Sequence, residues 1–142
     1  MTDYVSSRSV SLSLAIRALD AAIAEAERLD CHTSIAIVDS AGHLVTFARM
    51  DGSPLLGLKL AQDKAYSAAI HGVPTSQWWE LIADDPSLVH GINLIDRLII
   101  FGGGVPAFVD ADLVAGVGVS GRSSPDQDEA IAIAAAQVIS HP

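Results

Sequence analysis

The sequence is short of cysteine, aromatic residues and positive charge, and these shortages exclude several classes of protein. Cys31 is the only cysteine among 142 residues, so no disulfide can form within one chain, which is typical of the cytoplasm. Eight basic residues stand against seventeen acidic ones, for a net charge of −9. Such a chain repels nucleic acids and anionic membranes, and it shows neither a signal peptide nor a membrane span. We therefore expect a cytoplasmic protein with no nucleic-acid or membrane partner.

The chain is rich in small and aliphatic apolar residues. Apolar residues make up 50% of it, enough for a core in one domain covering residues 1–142. Its mean hydropathy of +0.39 is high for a small monomer. Further copies of the chain would cover the surplus apolar surface, so we expect a homo-oligomer.

Hydrophobic periodicity predicts a helix and a hairpin in the first half of the chain. A helix from about Ser9 to Leu29 would bury an apolar face made of Leu12, Ile16, Leu19, Ile23 and Ala26. Strands over residues 34–38 and 43–50 flank a turn at residues 39–42. A second helix over residues 56–70 ends at Gly72, which suits the left-handed backbone of a helix end.

The second half predicts short strands and a well-marked final helix. Thr75 or Ser76 caps a short helix, and a buried strand over residues 98–101 precedes strands at 107–109 and 113–120. Ser124, Pro125 and Gln127 form a capping box at the start of the last helix. The order α-β-β-α-(α)-β-β-β-α predicts an α/β (α+β) fold with an antiparallel sheet flanked by helices.

Several sequence blocks together resemble the GlcG/HbpS/PduO C-terminal-domain family. They occupy residues 38–44, 49–52, 61–65, 103–106, 116–121 and 128–129. The resemblance implies a profilin-like fold that assembles into dimers, tetramers or octamers. It also implies an association with haem or corrinoids, although many members have no assigned activity. Residues 110–112 and the segment 78–97 depart from the family pattern, so we expect ligand specificity to differ in that segment.

The glycine-rich stretch after residue 101 is the first candidate site. Gly102, Gly103 and Gly104, followed by Pro106, would let a ligand approach the main chain, and their amides would bind an oxyanion. The stretch matches neither a phosphate-binding loop nor a dinucleotide fingerprint. The alternative is a bulge that redirects the chain.

Three side chains are candidates for acid–base catalysis. Lys64 lies at the flank of an alanine-rich helix face, where partial burial would lower its pKa. His71 ends the same helix, and Glu129 lies in the first turns of the last helix. The alternatives are an exposed lysine paired with an acid, a solvated histidine, and an acid that only complements the helix dipole.

Further ligand contacts are predicted at Arg49, Trp78 and His90. Arg49 would hold a carboxylate in bidentate fashion, or would pair with Asp39 or Asp51. Trp78 and Trp79 point about 100° apart on a helix, so one of them would form a pocket or subunit wall. No histidine has metal-site spacing, and His90 is the predicted axial ligand if haem binds.

Two functions remain open from the sequence, and a structural or accessory subunit is a third. The first is an enzyme acting by proton transfer on a carbonyl- or carboxylate-bearing metabolite, with the glycine amides steadying an oxyanion. The second is a haem- or corrinoid-binding protein without turnover. The enzyme reading requires that the Lys64 ammonium and the glycine amides meet in a shared cavity.

Overall fold

A computed structural model describes residues 1–142 as a four-stranded antiparallel sheet with helices on both faces. The strands are β1 (His32–Asp39), β2 (Leu44–Arg49), β3 (Gly104–Val109) and β4 (Asp112–Arg122), in the spatial order β2-β1-β4-β3. β1 and β4 form the central pair, in register from His32 opposite Arg122 to Asp39 opposite Ala115. The predicted fold class, an antiparallel sheet flanked by helices, is confirmed.

The helices divide between the two faces of the sheet. They are α1 (Leu12–Arg28), α2 (Leu56–His71), α3 (Trp78–Ile82), α4 (Pro86–Gly91) and α5 (Pro125–Ser140). Because side chains alternate along a strand, Ile35 and Ile37 of β1 pack with α1 and α5 in the main core. Ala36 and Val38 point the other way and pack against α2 in a smaller cluster.

Helix α2 lies so close to β4 that the strand needs glycine beneath it. A Cβ atom on Gly116 would overlap the carbonyl oxygen of Ala65, and one on Gly118 would overlap that of Ala61. Alanine on the helix and glycine on the strand therefore bring two backbones into contact. This close packing sets the distance between Lys64, which lies on the same helix, and the sheet.

Two predictions are wrong, namely the strand over residues 98–101 and the buried face of the first helix. Residues 98–101 form no strand, because the Ile99 amide donates instead to Ser67 Oγ of α2 at 2.9 Å. The buried stripe of α1 consists of alanines, namely Ala15, Ala18, Ala22 and Ala26. Leu12 and Ile16, predicted to be buried, are 58% and 45% exposed. The small side chains of these four alanines let α1 approach α5 closely, and a leucine in place of any of them would not fit.

The predicted helix ends are confirmed. Gly72 follows α2 with φ 67°, in the left-handed conformation that glycine adopts without strain. Ser124 and Gln127 form the reciprocal capping box of α5, with Pro125 in its first turn. Cys31 is buried in the main core.

Candidate functional site

Lys64 is the largest fully buried side chain of the protein, and it forms an ion pair with Asp128. Its Nζ donates to Asp128 Oδ2 and to the carbonyl oxygen of Val119, both at 2.9 Å. Ser123 Oγ donates to the other carboxylate oxygen of Asp128. The pair joins α2, β4 and α5, so Lys64 is buried rather than exposed, and the alternative of an exposed lysine is wrong.

Burial governs the protonation of this pair. It lowers the pKa of Lys64 below its usual value, and the nearby Asp128 carboxylate opposes that shift. Burial also raises the pKa of Asp128, against the hydrogen bond from Ser123 and the charge of Lys64. Each charge therefore stabilises the other, and removal of either residue would leave an uncompensated charge in the interior.

The glycine-rich stretch passes between α2 and α5 and closes over this pair. A Cβ on Gly103, whose φ is +122°, would lie 2.6 Å from Lys64 Nζ. One on Gly102 would lie 2.9 Å from the carbonyl oxygen of Pro125. The Gly104 amide donates to Thr75 Oγ1 at 2.9 Å, so Thr75 holds this loop rather than capping a helix.

The Lys64 ammonium and the glycine loop therefore meet, but with no cavity between them. The three cavities of the structure are lined by other residues. The expected shared cavity is absent from the single chain, because Gly103 fills the place that a ligand would take. This contact supports the bulge alternative for the loop, and the catalytic and ligand-binding roles stay predictions.

The other predicted catalytic residues form no contact with Lys64 and have other partners. His71 is seven residues further along α2, about 10 Å along the helix axis, and its ring meets the Trp78 ring edge-on at 4.9 Å. Glu129 accepts a hydrogen bond from Ser76 Oγ at 2.8 Å. Trp78 is half-buried, and its indole Nε1 is enclosed without a hydrogen-bond partner. Pro106 lies in the edge strand β3, opposite Gly116.

Arg49 lines an open groove at the far end of the first hairpin. We call this the His32 groove; its volume is about 510 Å³ and its lining is Ile23, Glu27, Asp30, Cys31, His32, Ala48, Arg49, Met50 and Asp51. That volume is typical of small-molecule sites, which span roughly 300–1,000 Å³. Arg49 is exposed and forms no ion pair with Asp39 or Asp51.

The tautomer of His32 follows from its hydrogen bond. Its Nδ1 lies 2.9 Å from the Asp51 carbonyl oxygen, and because a carbonyl only accepts, Nδ1 carries the proton. Nε2 is then left with a free lone pair. Histidines that bind metals usually have this arrangement, with the second ring nitrogen held by a carbonyl or carboxylate.

Sequence reasoning missed His32 as a site residue. The signal that was present is its place at the start of β1, opposite the Asp51-Gly52 turn that ends the hairpin. His90, the residue predicted as haem ligand, is exposed near the end of the six-residue helix α4. No group of three or more His, Cys, Asp or Glu side chains has metal-binding geometry.

A family model and solved structures match this chain over nearly its full length. Residues 10–137 match the model described as haem degrading protein HbpS-like. Protein GlcG of Escherichia coli K12 is 32% identical over 96 residues, which is 68% of this chain and 69% of GlcG. No helix has the length and apolar character needed to cross a bilayer.

Two solved structures extend the similarity to the fold. A double mutant of HbpS from Streptomyces reticuli is 32% identical, with a TM-score of 0.88, covering 99% of this chain and 94% of that one. A complex of PduOC with haem is 27% identical, with a TM-score of 0.83, covering 94% of this chain and 99% of that one. A relative of the same fold therefore binds haem.

Proposed function

The chain belongs to the HbpS-like family, and from that premise we propose that it binds haem in the His32 groove. The observation that supports this assignment most is the His32 imidazole, whose Nδ1 is held by the Asp51 carbonyl so that Nε2 is free for iron. A neutral histidine with this second contact is the common proximal ligand of haem proteins. The haem-bound relative of similar fold provides independent support.

The lining of the groove suits a porphyrin in two further respects. Ile23, Ala48 and Met50 present aliphatic surface, which would contact the apolar part of the macrocycle. Arg49, exposed and without an ion pair, would bind a propionate. Glu27, Asp30 and Asp51 also line the groove, so the propionates would lie on the Arg49 side. Bound haem would supply an iron centre for redox or oxygen chemistry.

The acid–base reading has less support. Lys64 Nζ is enclosed by Val119, Asp128 and Gly103, so a metabolite would have to displace packed backbone to reach it. His90 remains the competing axial ligand, because its ring is exposed and the leucines near it, Leu88 and Leu94, are exposed too. The predicted cytoplasmic location and homo-oligomeric state remain part of this proposal.

A haem titration of the apoprotein tests the proposal. Wild-type protein should develop a saturable Soret band, and His32→Ala should lower the affinity for haem by about tenfold or more, since an axial bond is lost. His43→Ala is the matched control, because His43 lies in the same hairpin and contacts only Asp39. It should bind as wild type does.

The outcomes separate the two histidines. If His32→Ala binds haem with wild-type affinity and an unchanged Soret band, the assignment of His32 is wrong. If His90→Ala alone loses the band, the axial ligand lies in α4. If no variant, wild type included, binds haem at micromolar concentration, the proposed function itself fails.

A further inference from the structure

A second groove lies on the opposite side of the first hairpin, and nothing in the haem proposal uses it. We call it the Arg97 groove. Its volume is about 660 Å³, and it lies between the hairpin turn, α2 and the loop before β3, with Leu44, Leu58, Lys59, Asp63, Asp96 and Arg97 in its lining. Both apolar and charged side chains therefore face the same open space.

Arg97 is held rigidly in the wall of this groove. Its guanidinium carbon lies 3.9 Å from the centroid of the Tyr66 ring, and its Nε donates to Asp63 Oδ1 at 3.0 Å. Ser67 Oγ lies 2.8 Å from the carbonyl oxygen of Arg97 and 2.8 Å from that of Asp63, and shares its one proton between them. Its backbone is left-handed, with φ 62°, a conformation that a non-glycine residue keeps only when its surroundings impose it.

The guanidinium keeps unused hydrogen-bond donors. Only Nε is bonded to Asp63, and the side chain is 34% exposed. The two terminal nitrogens therefore remain open to the groove, as a planar fork that fits both oxygens of a carboxylate. Because stacking and the Asp63 bond already fix the fork, a ligand would lose little side-chain entropy by binding to it.

Charges of both signs face this space. Lys59 and Arg97 share the single carboxylate of Asp63, so the second negative charge of the lining is that of Asp96. Asp96 is exposed in the same lining and forms no ion pair. His43, also in the lining, pairs with Asp39 outside it. A dianion would be repelled by Asp96, whereas a carboxylate that also carries an ammonium would satisfy both sides.

We propose that the Arg97 groove binds a small α-amino acid with an apolar side chain. The terminal nitrogens of Arg97 hold its carboxylate, Asp96 accepts from its ammonium, and Leu44 and Leu58 contact its side chain. Amino-acid binding at this groove does not depend on haem binding, because the two grooves share no lining residue.

Titration of the apoprotein with L-leucine, followed by the NMR shifts of the Gly42 and His43 amides, tests the proposal. We expect saturable shifts with an affinity in the millimolar range or tighter. L-leucinamide, which lacks the carboxylate, and N-acetyl-L-leucine, which lacks the ammonium, should each bind about tenfold more weakly, because each loses one charged contact. Shifts that never saturate, or equal binding of all three probes, would overturn the proposal.

Variants assign the two contacts separately. Arg97→Gln should abolish the saturable shifts, and Arg49→Gln, in the other groove, should leave them unchanged. Arg97→Lys keeps the charge at Asp63 but lacks the fork, so it tests the same contact if Arg97→Gln does not fold. Asp96→Asn breaks no ion pair and should remove the preference for L-leucine over N-acetyl-L-leucine. Unchanged L-leucine affinity in Arg97→Lys, or an unchanged preference in Asp96→Asn, contradicts the proposal.

Discussion

The region around Lys64 and the His32 groove both contain residues that suit chemistry, but only one of them has room for a ligand. Lys64, Asp128 and Gly103 are packed against one another, and the ammonium donates to the Val119 carbonyl and the Asp128 carboxylate. His32 and Arg49 stand at the edge of an open groove, with Nε2 and the guanidinium unpaired.

A group with a shifted pKa is a functional candidate only where its partners leave it free to contact a ligand. A buried ion pair shifts pKa values in the same way as an active site does, yet its charges are already satisfied. The glycine loop has a structural explanation too, because Gly103 packs directly against Lys64, Val119 and Asp128, where a side chain would not fit. At the end of the first hairpin, by contrast, the Asp51 carbonyl binds one ring nitrogen of His32 and leaves the other one free.

The largest effect should come from breaking the Lys64–Asp128 pair. Lys64→Met should lower the free energy of unfolding by about 3–5 kcal/mol, because it leaves the Asp128 carboxylate buried without its partner. The double variant Lys64→Met/Asp128→Leu should lose much less than the sum of the two single changes. Urea denaturation of all four proteins measures this coupling. Additive losses would mean that the pair is not coupled.

A methyl group at Gly103 should have the next largest effect. Gly103→Ala meets Lys64 Nζ and also forces alanine into a positive φ, so it should destabilise by more than the roughly 1–3 kcal/mol of backbone strain alone. Gly52→Ala is the matched control, since φ is +80° there but the nearest atom to the added Cβ is 3.6 Å away. Equal losses in the two variants would show that the loop is not tightly packed.

Removal of His32 should hardly affect stability. His32→Ala deletes one exposed hydrogen bond, so the free energy of unfolding should fall by no more than about 1 kcal/mol, while haem affinity falls strongly. Thermal unfolding with and without haem measures both quantities. A large loss of stability in the apoprotein would place His32 among the structural residues and weaken the contrast between the regions.

The smallest effect concerns Cys31, which lines the His32 groove but is 3% exposed. Burial raises the pKa of its thiol, so less thiolate forms at neutral pH than in a free cysteine, and alkylation of the native protein by iodoacetamide should be slow. Urea should restore the rate of an ordinary thiol. Rapid alkylation of the folded protein at neutral pH would show that the groove opens into the core.

The sequence was sufficient for most of the fold and for part of the site. Turn residues and capping signals located the hairpins, the end of α2 at Gly72 and the start of α5 at Ser124, because these depend on local backbone chemistry. The exposure of Leu12 and the absence of a strand at residues 98–101 depend on how elements pack, which periodicity does not encode. The same limit hid the ion pair of Lys64 and the bond from His32 to Asp51, since both join residues distant in the chain.

Paramagnetic broadening by ferric haem locates the ligand most directly. When haem is added to ¹⁵N-labelled protein, the amide signals of Ala48, Arg49 and Asp51 should disappear first, while those of Gly103 and Lys64 persist. Broadening centred on the glycine loop, or on His90 in α4, would contradict the assignment of the His32 groove as the place where haem binds.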